Sequence, residues 1–160
     1  MLRAVVGSHP RAALLRSAAL VAAAVVIFGF VLKPVRLEGI SMLPTYKNGD
    51  FDFANRLAYL WHEPARGDVV AIRMAGPSVL YVKRIVGLPH ETVEIVAGVV
   101  LIDSEPLVEP AVVLKAPWTM PAVTLGDREY FVIGDNRSMA MRNHDFGRAS
   151  RDRIIGKMVF

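Results

Sequence analysis

Sixteen consecutive residues without a charge, Ser17 to Leu32 (SAALVAAAVVIFGFVL), constrain this chain more than any other feature; Arg16 closes the run before and Lys33 behind. As a helix the run spans about 24 Å, a little short of a hydrocarbon core of about 30 Å. The long side chains of Arg16 and Lys33 can reach the interfaces and make up the difference, and Pro34 is expected to end the helix. A cleavable leader would show small residues just past the apolar run, but the chain there reads Phe30-Val31-Leu32-Lys33-Pro34. A buried core helix is not usually apolar on all faces this close to a terminus, as this run is. The reading is therefore a basic tail over 1–16, a retained transmembrane anchor over 17–33 and a folded body over 34–160. Arg3, Arg11, Arg16 and the α-amino group outweigh Lys33 and Arg36, which Glu38 offsets. That balance predicts a single pass of the cell membrane with the N-terminus cytoplasmic and the body outside.

Charge and composition narrow the function. Three of the 19 basic residues precede the end of the apolar run, leaving 16 against 15 acidic ones in the rest of the chain. A nucleic-acid binder carries its positive charge as a patch on the folded domain; here the body is nearly neutral, so no nucleic-acid partner is expected. There is no cysteine, which removes disulfides and thiolate metal sites.

Beyond the anchor the signals are those of a mainly β body. Short β-rich runs recur between turn residues: Asp50–Phe53, Asp68–Met74, Val79–Val86, Thr92–Val96, Val99–Ile102, Tyr130–Ile133 and Ile154–Phe160. Ala97-Gly98 reads as a hairpin turn, and Gly76-Pro77 as a turn after the second run. Pro106, Pro110, Pro117 and Pro121 mark an irregular insertion around 104–125.

Two side chains suggest chemistry. Ser41, in Gly39-Ile40-Ser41-Met42-Leu43-Pro44-Thr45, sits on a turn from which its hydroxyl can enter a groove, though an exposed loop serine would look the same. A serine nucleophile needs an adjacent base, and none of the four histidines stands in an evident serine-protease setting. Lys83 lies in the run Val79–Val86, where alternation puts Tyr81, Lys83 and Ile85 on one face and Val82, Arg84 and Val86 on the other. Both faces are largely apolar. Burial there would lower the lysine pKa and free its lone pair; a lysine reaching off a sheet edge is the competing reading. Asp135, in Gly134-Asp135-Asn136-Arg137, is a natural partner for Arg84 and also fits a polar turn.

Taken in order, Gly39-x-Ser41-Met42-x-Pro44-Thr45, Gly49-Asp50, Arg66-Gly67-Asp68-Val69-Val70, Tyr81-Val82-Lys83-Arg84-Ile85-Val86-Gly87-Leu88-Pro89 and Gly134-Asp135-Asn136-Arg137 resemble the successive boxes of bacterial type I signal peptidases. The resemblance implies a signal-peptidase-like β catalytic domain that needs no cofactor or metal. It implies cleavage of signal peptides from exported preproteins at the membrane surface, after small residues in an Ala-x-Ala pattern. By position it makes Ser41 the nucleophile and Lys83 the general base. The Ser41 N–H becomes an oxyanion donor, while Gly39 stands where some members place a second, hydroxyl donor. Arg84, Asp135 and Asn136 are expected to support the site, and Ile40, Met42, Pro44, Tyr81 and Val82 to meet the substrate. Met42, Leu43, Tyr59, Leu60 and Trp61 are read either as interfacial residues or as ordinary core. The expected partners are signal peptides and the bilayer, and the chain is expected to act as a monomer.

The last box departs from the family pattern. Ala140 stands where the family has a serine that orients the lysine, and Arg142, Asn143 and His144 replace Asp-Ser-Arg. Ser138, Asn143 or packing alone is then left to hold Lys83. A processing peptidase for few substrates, or a silent membrane-anchored assembly factor, are the alternatives this departure raises.

Overall fold

The computed structural model describes residues 10–75 and 79–159. The turn expected at Gly76-Pro77, most of the basic tail and the terminal Phe160 lie outside the described residues. Helix α1 covers Pro10–Val26 and continues as a π turn over Ile27–Val31. Proline suits the first turn of a helix, where its missing N–H has no partner to lose. The helical span from Arg11 to Val31 is 21 residues with mean hydropathy 2.3, and its most apolar stretch has no buried residue. At about 1.5 Å per residue it is about 31 Å long, the thickness of a bilayer's hydrocarbon core. Two expectations are corrected here. Arg11 and Arg16 lie inside the helix, because a fully exposed helix leaves long charged side chains free to extend along it. Pro34 does not end the helix, which stops three residues earlier; it lies in strand β1, Leu32–Arg36, at a sheet edge where a missing N–H costs no ladder bond.

The body is two antiparallel sheets. The larger runs β1, β2 (Phe51–Asn55), β11 (Ile154–Met158), β3 (Val69–Ala75), β4 (Val79–Gly87), β9 (Glu129–Ile133) and β10 (Gly147–Ser150). The smaller runs β7 (Glu105–Pro106), β6 (Val99–Ile102), β5 (Thr92–Val96) and β8 (Met120–Thr124). The stretch 104–125 is thus not wholly irregular, since β7 and β8 are the two edges of the second sheet. The hairpin at Ala97-Gly98 is as expected, both residues taking positive φ (48° and 85°), the geometry of a two-residue turn that matches strand twist.

The apolar run of β3 explains the layering. Ala71 joins Val35, Leu37, Met42, Ala54, Val82 and Met158 on one side of the large sheet. Its neighbours Val70 and Ile72 join Ile85, Tyr130, Val132 and Ile154 on the other. A strand buried on both faces reads as continuous rather than alternating. A third cluster, including Val86, Val93, Trp118, Leu125 and Phe131, fuses the two sheets.

Candidate active site

The segment from Gly39 to Tyr46 folds back on itself as a turn. Gly39 takes φ 94°, a conformation open to glycine, and Tyr46 N–H donates to the Met42 carbonyl at 3.0 Å. The Leu43–Pro44 peptide is cis. Met42 and Tyr46 are sunk into the core beside Leu37 and Val82, and Ser41, just before Met42, faces Lys83 of the sheet.

The Gly134–Arg137 turn clamps this segment. Asn136 N–H donates to the Ser41 carbonyl at 3.0 Å, and Asn136 Nδ2 donates to the Ile40 carbonyl at 3.0 Å. Asp135, fully buried, accepts both Arg84 Nε at 2.7 Å and Arg84 Nη2 at 2.6 Å and the Thr45 hydroxyl. Such a two-pronged ionic pair fixes orientation as well as position, and Asp135 holds the Arg84 guanidinium above its ordinary pKa. The Arg84–Asp135 pairing expected from the sequence is therefore present, and it ties the strand carrying Lys83 to the turn carrying Ser41.

Lys83 Nζ lies 3.0 Å from Ser41 Oγ. Its side chain is 2% exposed, and burial lowers its pKa from 10.5 to about 8, with Asp145 opposing the shift. The Tyr81 ring lies 6.0 Å from Nζ. Among the described residues Lys83 Nζ has no hydrogen-bond partner besides Ser41. Ser138 turns to Asn136 instead, its hydroxyl donating to Oδ1 at 2.6 Å, and Asn143 is exposed. Packing, rather than either of these side chains, holds the amine.

His144 is the residue that sequence reasoning passed over. It is buried, its Nε2 accepts the Gly134 N–H at 3.0 Å, and its ring packs edge-on against Trp118 at 5.0 Å. A neutral imidazole with Nε2 accepting carries its proton on Nδ1, which has no hydrogen-bond partner among the described residues. Burial, then the charges of Lys83 and Arg137, lower its pKa to about 4, so the ring is neutral in working conditions. Gly134 is pinched between this ring and Ser41: a Cβ there would lie 2.2 Å from the Ser41 carbonyl oxygen and 2.7 Å from His144 Cε1 and Nε2. Only the substitution of His144 for the family's arginine hinted at this, and its meaning depends on packing ten residues away.

A groove of about 400 Å³ opens over the pair, lined by Leu37, Gly39, Ser41, Met42, Tyr81, Val82 and Lys83 among others. Ile40 and Pro44 are not among its lining residues. Strand β9 pairs with β4 only from Arg84 to Gly87, so the β4 edge from Leu80 to Lys83 borders the groove rather than a neighbouring strand. Ser41 N–H donates to no backbone carbonyl among the described residues. Of the residues read as interfacial, Met42 is core and Tyr59 is buried, its hydroxyl donating to Asp68 at 2.9 Å. Trp61 is 86% exposed, and Leu60 is also exposed.

Comparison with known proteins points one way. A family model described as signal peptidase, peptidase S26, matches residues 11–160. The chain is 33% identical over 141 residues to a probable signal peptidase I-1 of Synechocystis, covering 82% of this chain and 71% of that one. It is 34% identical over 152 residues to signal peptidase I of Bacillus amyloliquefaciens, covering 88% and 78%. The crystal structure of a signal peptidase I from Enterococcus faecalis superposes with TM-score 0.50 at 24% identity, covering 61% of this chain and 97% of that one, a likeness of fold.

Proposed function

Since the chain belongs to the signal peptidase family, peptidase S26, and is a type I signal peptidase, a membrane-associated serine endopeptidase, we propose that Ser41 is its nucleophile and Lys83 its general base. The observation that carries this reading is the 3.0 Å contact between Lys83 Nζ and Ser41 Oγ, with the amine buried and its pKa near 8. Neutral Lys83 takes the Ser41 proton as Oγ bonds to the substrate carbonyl carbon. The resulting ammonium returns that proton to the departing amine as the peptide bond breaks. Lys83 then activates a water that hydrolyses the acyl-enzyme. The Ser41 N–H stabilises the oxyanion. Gly39 offers no side-chain hydroxyl for a second donor.

The substrate is the signal peptide of a preprotein. It lies as an added strand along the free β4 edge from Leu80 to Lys83, using main-chain hydrogen bonds. Met42 and Val82, both rooted in the core, close the groove floor and admit only small residues before the cut. In the proposed arrangement α1 anchors the enzyme, the segment before it is cytoplasmic, and the body acts as a monomer on the outer face. Ser41→Ala and Lys83→Ala are each expected to abolish preprotein processing while insertion and folding persist. Labelling by a serine-directed acylating inhibitor such as a penem is expected for the parent and absent in Ser41→Ala. Full processing by either variant contradicts the dyad.

A further inference from the structure

Three cations converge where the helix meets the body. Lys33 at the start of β1, Arg56 just past the end of β2 and Arg73 late in β3 line one cavity of about 450 Å³, with Ile154 at the start of β11. They mark the same end of four neighbouring strands. Phe28 and Gly29, from the π turn of the helix, complete the wall, and no carboxylate among the described residues lines it.

Several basic side chains elsewhere on the body are committed to acids. Arg66 pairs with Glu91, Arg84 with Asp135, Arg137 with Glu109 and Arg151 with Glu63. Lys33, Arg56 and Arg73 have no such ion pair among the described residues, although they share a cavity in which they repel one another. Arg56 is the best placed, because its backbone N–H donates to the Val31 carbonyl at 2.8 Å and its Nη1 to the Gly29 carbonyl at 3.2 Å. Those bonds, with the Phe28–Phe53 ring contact at 5.8 Å, pin the helix end beside the cavity.

We propose that this cavity binds the phosphodiester headgroup of an anionic phospholipid from the leaflet facing the body. Guanidinium forks and an ammonium match phosphate oxygens, and three unneutralised cations favour an anion over a zwitterion. The wall supplied by Phe28, 54% exposed on an apolar helix, is what selects a lipid over a soluble phosphate: acyl chains attached to the headgroup can run down along that helix. Lys33 lies three residues before Arg36, which lines the substrate groove, so the bound lipid sits about 10 Å along β1 from that groove. The site would hold the groove at a fixed height above the bilayer. The inference rests on membrane association of the helix and is independent of the roles given to Ser41 and Lys83.

The test is native mass spectrometry of the full chain in a nonionic detergent, titrated with phosphatidylglycerol or phosphatidylcholine. One phosphatidylglycerol per chain is expected, held at least tenfold more tightly than phosphatidylcholine. A Lys33→Gln, Arg56→Gln, Arg73→Gln triple variant should lose at least tenfold of that affinity, since each juxtamembrane cation contributes severalfold. The variant should still cleave a soluble signal-peptide analogue, which shows that it is folded, and Arg73→Lys should retain most of the binding. Equal affinity for the two lipids, or unchanged binding by the triple variant, overturns the proposal. Displacement of the lipid by equimolar inorganic phosphate would assign the cavity to a soluble anion and also overturn it.

Discussion

Gly134→Ala isolates the packing that holds Ser41, the proposed nucleophile. The φ of Gly134 is not positive, so an alanine suits the backbone and only the new methyl group matters. That methyl would sit 2.2 Å from the Ser41 carbonyl oxygen and 2.7 Å from two atoms of the His144 ring. Ordinary contact requires about 3.5 Å, so the Ser41 segment must retreat by about 1 Å, drawing Oγ away from a partner now 3.0 Å distant. A displacement of that size can lower a catalytic rate by about 100-fold, and overpacking of this kind costs about 1–3 kcal/mol of stability. The assay is kcat and KM on a signal-peptide analogue, alongside a urea unfolding curve. A fall of about 100-fold in kcat with KM little changed is expected. A Gly134→Ala, His144→Ala double variant should recover neither rate nor stability, because the clash with the carbonyl remains and the acceptor of the Gly134 N–H is lost. Parental kcat in Gly134→Ala would refute the claim that this glycine sets the position of Ser41.

Burial of Lys83 is expected to cost stability. Its pKa falls from 10.5 to about 8 on folding; at about 1.4 kcal/mol per pKa unit, Lys83→Met should raise unfolding free energy by about 3 kcal/mol at neutral pH while abolishing activity, measured by denaturant titration. Arg137 is 2% exposed and pairs with Glu109 at 2.6 Å. Glu109→Ala leaves that charge buried and alone, so a loss of about 3–5 kcal/mol is expected, again by denaturant titration. His144 is neutral in the folded state, with a pKa of about 4 against an ordinary 6.5. The unfolded chain therefore takes up its proton first on acidification, and the His144 contribution is lost as pH falls from about 6.5 to about 4. His144→Phe should flatten that part of a stability-against-pH curve.

How far the sequence carried can be traced residue by residue. The strands read in advance, β2 to β6, β9 and β11, are all flanked on both sides or carry long apolar runs, so burial stamped a pattern on them. The four that escaped, β1, β7, β8 and β10, are the four edges of the two sheets. An edge strand pairs on one side only and tolerates Pro34, Pro106, Pro121 or a short Gly-Arg-Ala-Ser run, each of which reads locally as a turn. The helix was read too short at its start because Arg16 was taken as its boundary, whereas an exposed helix accommodates both Arg11 and Arg16. Ser41, Lys83, Arg84 and Asp135 were legible because contiguous motifs carry them. His144 was not, since its contact with Gly134 exists only once β9 and the loop after it have folded together.

The neutrality of Lys83 is the claim on which the proposed mechanism turns, and kcat/KM for a signal-peptide analogue as a function of pH measures it in the free enzyme. Compared with an unshifted lysine, a pKa of about 8 gives about 300-fold more neutral amine at pH 7. The profile should climb with pH and level off above an apparent pKa of about 8. A limb still rising towards 10.5, or a profile flat from pH 6 to 9, would contradict a buried amine acting as the base.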